Sequence, residues 1–196
     1  STGRIDEGIT RVDVGGTVQV ADATFTERVA VTKPVTVSGA GIDATSIVAP
    51  EGSALAAVQV LASGVTVEGF TITRTGNDAA TWNDTLSNAG VAILGQAVDA
   101  VIRENRITGN RTAIDVNNSD DNVIVDNVID ANHTGLIFRN QTGNTTLNGN
   151  VITDNRTVGV LFLDASSGTN SPLQTAAGSD FSGNVIADNW YGQVVD

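Results

Sequence analysis

Residues 105–132 read NRITGNRTAIDVNNSDDNVIVDNVIDAN, and within them the pattern N-x-I-x-x-N occurs twice. The first copy is Asn105, Ile107 and Asn110; the second is Asn127, Ile129 and Asn132. Two more follow, at Asn150, Ile152 and Asn155 and at Asn184, Ile186 and Asn189. Five positions before each isoleucine stands another apolar residue: Ile102, Ile124, Leu147 and Phe181. Self-similarity at a fixed period is the signature of a stacked repeat, and helical repeats run longer, at ~33–47 residues.

Looser copies upstream end at Ile42 (VTVSGAGI) and Ile72 (VTVEGFTI). The six isoleucines are then separated by 30, 35, 22, 23 and 34 residues, which sets a coil of about 22 residues. The longer intervals hold polar, turn-rich insertions at 75–88 and 164–180. A second apolar strand follows the second Asn of each copy: TAIDV (112–116), TGLIF (134–138), VGVLF (158–162) and YGQVV (191–195), with NAGVAIL (88–94) in the same set. Strands of ~3–5 residues cannot bury an apolar side alone, so stacked neighbours must close the core. The expectation is one all-β domain over 1–196, a β-solenoid with residues 1–14 as a short N-terminal cap.

The repeated asparagines have a structural reading. Asn tolerates left-handed backbone angles at a tight bend and bonds to nearby backbone. Asn at the same place in successive coils also builds an amide ladder. The triplets N-x-T at Asn110, Asn132 and Asn155 match a glycosylation acceptor, but the repeat generates them anyway.

Composition narrows the function. Forty per cent of the residues are hydrophobic and only 4% aromatic, so the core is built from Val, Ile, Leu and Ala. The net charge of −12 argues against nucleic acid or an anionic membrane as a partner. The absence of Cys removes a disulfide framework and a thiolate metal site. No run approaches the ~18 apolar residues of a membrane span. A chain that begins at Ser1 fits a processed form, and a secreted or cell-surface location is expected. The runs LIF (136–138) and VLFL (160–163) are apolar on both strand faces, so an outer face should be covered by a loop or another subunit. YGQVV stops at Asp196 with no polar cap, which suggests a longer chain carrying further domains, or a covered end.

The stretch GGTVQVADATFTERVAVTKPVTVSGAGIDATSIV (15–48) resembles the opening coils of the pectin-lyase-like superfamily. Arg4 to Val12 stands where such proteins carry a capping helix, and Gly39-Ala40-Gly41 supplies their G-x-G turn. The repeats from Val98 onward are similar to the generic repeat of that group. The resemblance implies a single-stranded right-handed parallel β-helix. It implies no single activity, because function lives in sites grafted on a fold. Lyases of this group use calcium-binding acids and an Arg base in an R-x-P-x-x-R-like context, which is absent here. The methylesterase segment G-Y-Q-D-T-L has only a faint echo in Asp84-Thr85-Leu86.

Aligning the second strands puts Asp115 in register with Ala92, Ile137, Leu161 and Val194, an acid in an apolar column. Arg139 lies on the next coil, two positions further on. The two are candidate catalytic residues of a lyase, or a surface ion pair worth little. Asp115, Asp120 and Asp121 are candidate calcium ligands, since hard cations want several oxygens; solvated turn residues are the other reading. Arg111, His133, Arg156 and Trp190 each follow a second Asn, and with Tyr191 they make a candidate glycan-binding stripe, or a row of exposed turn residues. Three functions remain open. One is a non-catalytic extracellular module, structural or glycan-binding, in a surface protein or assembly. The others are a polysaccharide lyase or glycoside hydrolase acting on an acidic glycan, and a self-assembling filament subunit stacked end to end on its own copies.

Overall fold

A computed structural model describes residues 4–50, 55–76, 88–163 and 177–195. The expected insertions at 75–88 and 164–180 fall largely outside these residues. The described chain winds as a right-handed parallel β-helix whose coils stack into three parallel sheets of six, seven and seven strands, the last coil reaching the first sheet only by a single bridge from Asp180 to Thr146. The first sheet stacks Thr17–Gln19, Thr36–Ser38, Thr66–Glu68, Val101–Arg103, Val123–Val125 and Thr146–Asn148. The second stacks Ala23–Phe25, Thr45–Ala49, Thr71–Arg74, Arg106–Thr108, Val128–Asp130, Val151–Thr153 and Val185–Ala187. The third stacks Val29–Val31, Val58–Val60, Ala89–Ile93, Thr112–Asn117, Thr134–Arg139, Val158–Leu163 and Tyr191–Val195.

The core is the lumen of this helix. Successive side chains of a strand point to opposite faces, so one or two residues per short strand reach inward. In the first sheet the inward column is Val37, Val67, Ile102, Ile124 and Leu147, all buried. In the second it is Ile47, Ile72, Ile107, Ile129 and Ile152, continued in register by the more exposed Ile186. The isoleucine series therefore begins at Ile47 and not at Ile42, a separation of 25 residues to Ile72 in place of 30. Ile42 sits in the turn after Gly41, where no strand carries it inward. The helix Ile5–Arg11 closes the N-terminal end by burying Ile5 and Ile9, one turn apart on one face. Buried Glu27 accepts the Ile5 N–H at 2.9 Å. Lys33, the one lysine of the chain, donates to the Thr10 and Val12 carbonyls at the other end of the helix.

The asparagines occupy two bends of each of the last four coils. Asn105, Asn127, Asn150 and Asn184 stack at the bend between the first and second sheets; Asn110, Asn132, Asn155 and Asn189 stack at the bend into the third. Asn127 illustrates the pattern. Its Nδ2 donates to the Ile102 carbonyl at 2.9 Å, the Val125 carbonyl at 3.0 Å and Asn150 Oδ1 at 3.0 Å. Its Oδ1 accepts from the Asn105 N–H at 3.1 Å and from Asn105 Nδ2 at 3.2 Å. Each amide thus satisfies strand-end backbone that no ladder hydrogen bond reaches. The left-handed angle does not fall on the Asn, as expected from its turn chemistry, but on the residue before it. Glu104 (φ 54°), Asp126 (φ 55°) and Gly149 (φ 68°) precede the first ladder, and Gly109 (φ 67°), Ala131 (φ 52°) and Asp154 (φ 57°) precede the second. The Asn itself is freed for hydrogen bonding. Asn110, Asn132 and Asn155 are buried in this role, so none offers an amide for glycosylation.

Two stability outcomes follow. Asn127→Ala leaves several buried backbone groups unmet, each worth ~1–3 kcal/mol; urea unfolding should show a loss of at least ~2 kcal/mol, and a loss near zero would contradict the ladder. Ala131→Gly relieves a side chain held at φ 52° and should raise stability by ~0.5–1 kcal/mol.

Candidate functional site

The register read from the repeats places Asp115 and Arg139 together. Thr112–Asn117 pairs with Thr134–Arg139, so Asn117 lies beside Arg139 and Asp115 beside Ile137. Ile114 and Val116 point into the core, and Asp115 between them points to the outer face of the third sheet. That face is covered: the Asp115 side chain is 0% exposed and that of Arg139 17%. Ala92, the register partner of Asp115 on the preceding coil, belongs to a small apolar cluster with Ala56, Ala89 and Leu94. The guanidinium grips the carboxylate with two hydrogen bonds, Nε to Oδ1 at 2.8 Å and Nη2 to Oδ2 at 2.6 Å. Burial pushes the Asp115 carboxyl up, against the opposing pull of Arg139. The charged form is therefore disfavoured by folding, and the stability Asp115 contributes is lost as pH rises through its raised value. The alternative of a weak surface ion pair is overturned, because the pair is desolvated.

The three candidate calcium ligands do not converge. Asp115 is committed to Arg139, whereas Asp120 Oδ1 accepts the Gly143 N–H at 2.5 Å on the next coil. Asp121 occupies a left-handed bend (φ 60°) and donates its own N–H to the Gly143 carbonyl. Among the described residues no group of three His, Cys, Asp or Glu side chains could hold a metal ion.

The stripe is brought together by the second Asn ladder. Because Asn110, Asn132, Asn155 and Asn189 stack, so do the residues that follow them: Arg111, His133, Arg156 and Trp190. The backbone continues the register, with Arg156 N–H donating to the Asn132 carbonyl at 2.8 Å and Tyr191 N–H to the Thr157 carbonyl at 2.7 Å. Arg111 Nη1 lies 2.8 Å from His133 Nδ1 and donates to Thr134 Oγ1 at 3.0 Å. Arginine can only donate, so Nδ1 accepts and the imidazole is neutral with its proton on Nε2. Burial first, then the charges of Arg111 and Arg156, lower the His133 pKa to about 4. Arg156 is exposed, and Trp190 and Tyr191 are 73% and 57% exposed with ring centroids 6.3 Å apart. Reading the sequence missed Thr134 and Thr157, whose hydroxyls lie 3.1 Å apart behind the stripe. Their signal was present, as the third residue of each N-x-T triplet.

A family model described as periplasmic copper-binding protein (NosD) matches residues 35–171. The chain belongs to that family. No curated protein sequence matches it. Among solved structures, a pectin methylesterase from Yersinia enterocolitica superposes with a TM-score of 0.60 at 16% identity, over 81% of this chain and 54% of that one. A pectin methylesterase in complex with a hexasaccharide gives 0.56 at 11% identity, over 91% of this chain and 66% of the other. At these identities the likeness establishes the fold alone, and the chain spans 54% and 66% of the length of those structures.

The copper in the family's description finds no suitable donor set here. Cu(I) favours thiolate and thioether sulfur, and Cu(II) favours imidazole. The sequence has no Cys, no Met and one His. That His133 has its Nδ1 against an arginine, with a second arginine on the next coil.

Two measurements check this geometry. Arg139→Leu alone strands a buried carboxylate and should cost ~3–5 kcal/mol, while Asp115→Leu combined with Arg139→Leu should recover most of that loss. Equal losses in the single and double variants would refute the buried pair. An NMR titration of the His133 ring should find it neutral at pH 6, with a midpoint near 4. Stability should accordingly fall as pH drops from ~6.5, the ordinary His value, towards that midpoint.

Proposed function

We propose that this chain is a non-catalytic β-helix module that works outside the cytoplasm and holds an anionic polysaccharide along the stripe from Arg111 to Trp190. The observation that carries the reading is the stacking of Arg111, His133, Arg156 and Trp190 on four consecutive coils. Coils repeat at ~4.8 Å, so the row offers a cation or an aromatic surface at each step of an extended chain. Guanidinium groups fit carboxylates with paired, charge-assisted hydrogen bonds. Trp and Tyr offer large flat apolar faces with a polar edge, suited to a sugar ring. The stripe is basic on a chain of net charge −12, which gives a polyanion one surface to approach. The family's periplasmic description supports the location.

The non-catalytic part of the reading draws on Asp115. Both its carboxylate oxygens are engaged by Arg139 and the side chain has no exposed surface, which argues against this acid as a metal-binding or catalytic group. The test is calorimetric titration with polygalacturonate, alginate and a neutral glucan, with absorbance near 235 nm followed in parallel. Binding to the two polyuronates, weakened at least tenfold by Arg111→Ala with Arg156→Ala and weakened by salt, is expected, with no rise in absorbance. No polyuronate binding would sink the proposal, and unsaturated products would make the chain a lyase.

A further inference from the structure

The mismatch between the family's description and this chain's donors points to a specific role for its one histidine. We infer that His133 is a neutral acceptor that positions Arg111, and that residues 1–196 belong to the NosD family without holding copper. What Arg111 is positioned for rests on the polyanion reading above; the absence of a copper site does not.

Three observations support the inference. The first is the donor inventory: with no Cys and no Met, a copper site would have to be built from one imidazole and oxygen ligands. Carboxylate and carbonyl oxygens suit Mg, Ca and Mn better than copper. The second is the place of that imidazole. Nδ1 accepts from Arg111 Nη1 at 2.8 Å and also lies 3.3 Å from Thr134 Oγ1. A metal at Nδ1 would have to displace a guanidinium and then stand beside it. The third is the charge around the ring. Arg111 on the preceding coil and Arg156 on the next both act on it, and both disfavour an added cation. The same features that repel a metal serve a hydrogen-bond brace. A neutral Nδ1 and the Thr134 hydroxyl together fix the Arg111 head at 2.8 and 3.0 Å.

The full chain, metal-free, is titrated with Cu(II), and under reduction with Cu(I), against a chelator of known affinity, while the His133 ring is followed by NMR. The expected result is no copper retained at one equivalent and ring signals that do not shift. His133→Gln, which keeps an acceptor and removes the imidazole, should match the wild type in copper behaviour and in unfolding midpoint. Weak uptake by many sites, equal in both proteins, would be surface carboxylate and agrees with the inference. One equivalent held with a Kd below ~1 μM, or a His133 ring shifted at one equivalent, overturns it. So does a drop in the unfolding midpoint of His133→Gln that His133→Phe does not exceed, since the brace would then not be the acceptor. Failure of polyuronates to bind is a separate result: it removes the proposed function and leaves the copper outcome standing.

Discussion

The stacked side-chain amides at two bends of each coil from Asn105 onward are the interaction on which the remaining structure rests. A β-helix must turn its chain sharply between sheets, and each turn strands backbone groups that neither strand ladder can satisfy. Placing an Asn at the turn answers this twice: its Nδ2 reaches carbonyls at the end of the incoming strand, and its Oδ1 takes the N–H of the Asn on the preceding coil. An amide carries both donors and acceptor, so the arrangement repeats without limit along the axis. The residue before it absorbs the left-handed angle, and Gly, Asp, Glu and, at 131, Ala share that duty. With the bends fixed, the inward columns of Val, Ile and Leu fall into line with no further instruction.

That regularity also decides where chemistry is available. Whatever follows a ladder Asn is presented at the same azimuth on each coil, so four unrelated side chains, Arg111, His133, Arg156 and Trp190, become one surface. Whatever lies one strand position from the core faces outward, and in the third sheet that outer face is covered. The same register that builds an accessible row therefore buries Asp115 beside its arginine. A buried ion pair of this kind adds little net stability over an apolar pair. It fixes alignment between two coils, because the carboxylate accepts only where the guanidinium fork meets it.

The NosD match and the methylesterase superpositions converge on fold and diverge on chemistry. Their common ground is the stacked coil. In this chain the donors for copper are missing, and the acid with an arginine in register is sealed within the covered face.

The sequence by itself determined the coil period, the strand columns and the partners across coils, including Asp115 opposite Ile137 and Arg139 two positions on. These are legible because a repeat aligns with itself, and the two-residue alternation of a strand tells in from out. It could not show that the register of the early coils runs through Ile47, since Gly41 and Ile42 mimic the repeat without its bend. It could not show that the left-handed residue precedes the Asn, because Asn is the residue that tolerates that angle while Glu104 and Ala131, which carry it, do not favour it. The burial of Asp115 and the orientation of His133 towards Arg111 were decided only by the tertiary structure. Both depend on contacts between residues more than twenty positions apart and on what covers an outer face, which no local pattern encodes.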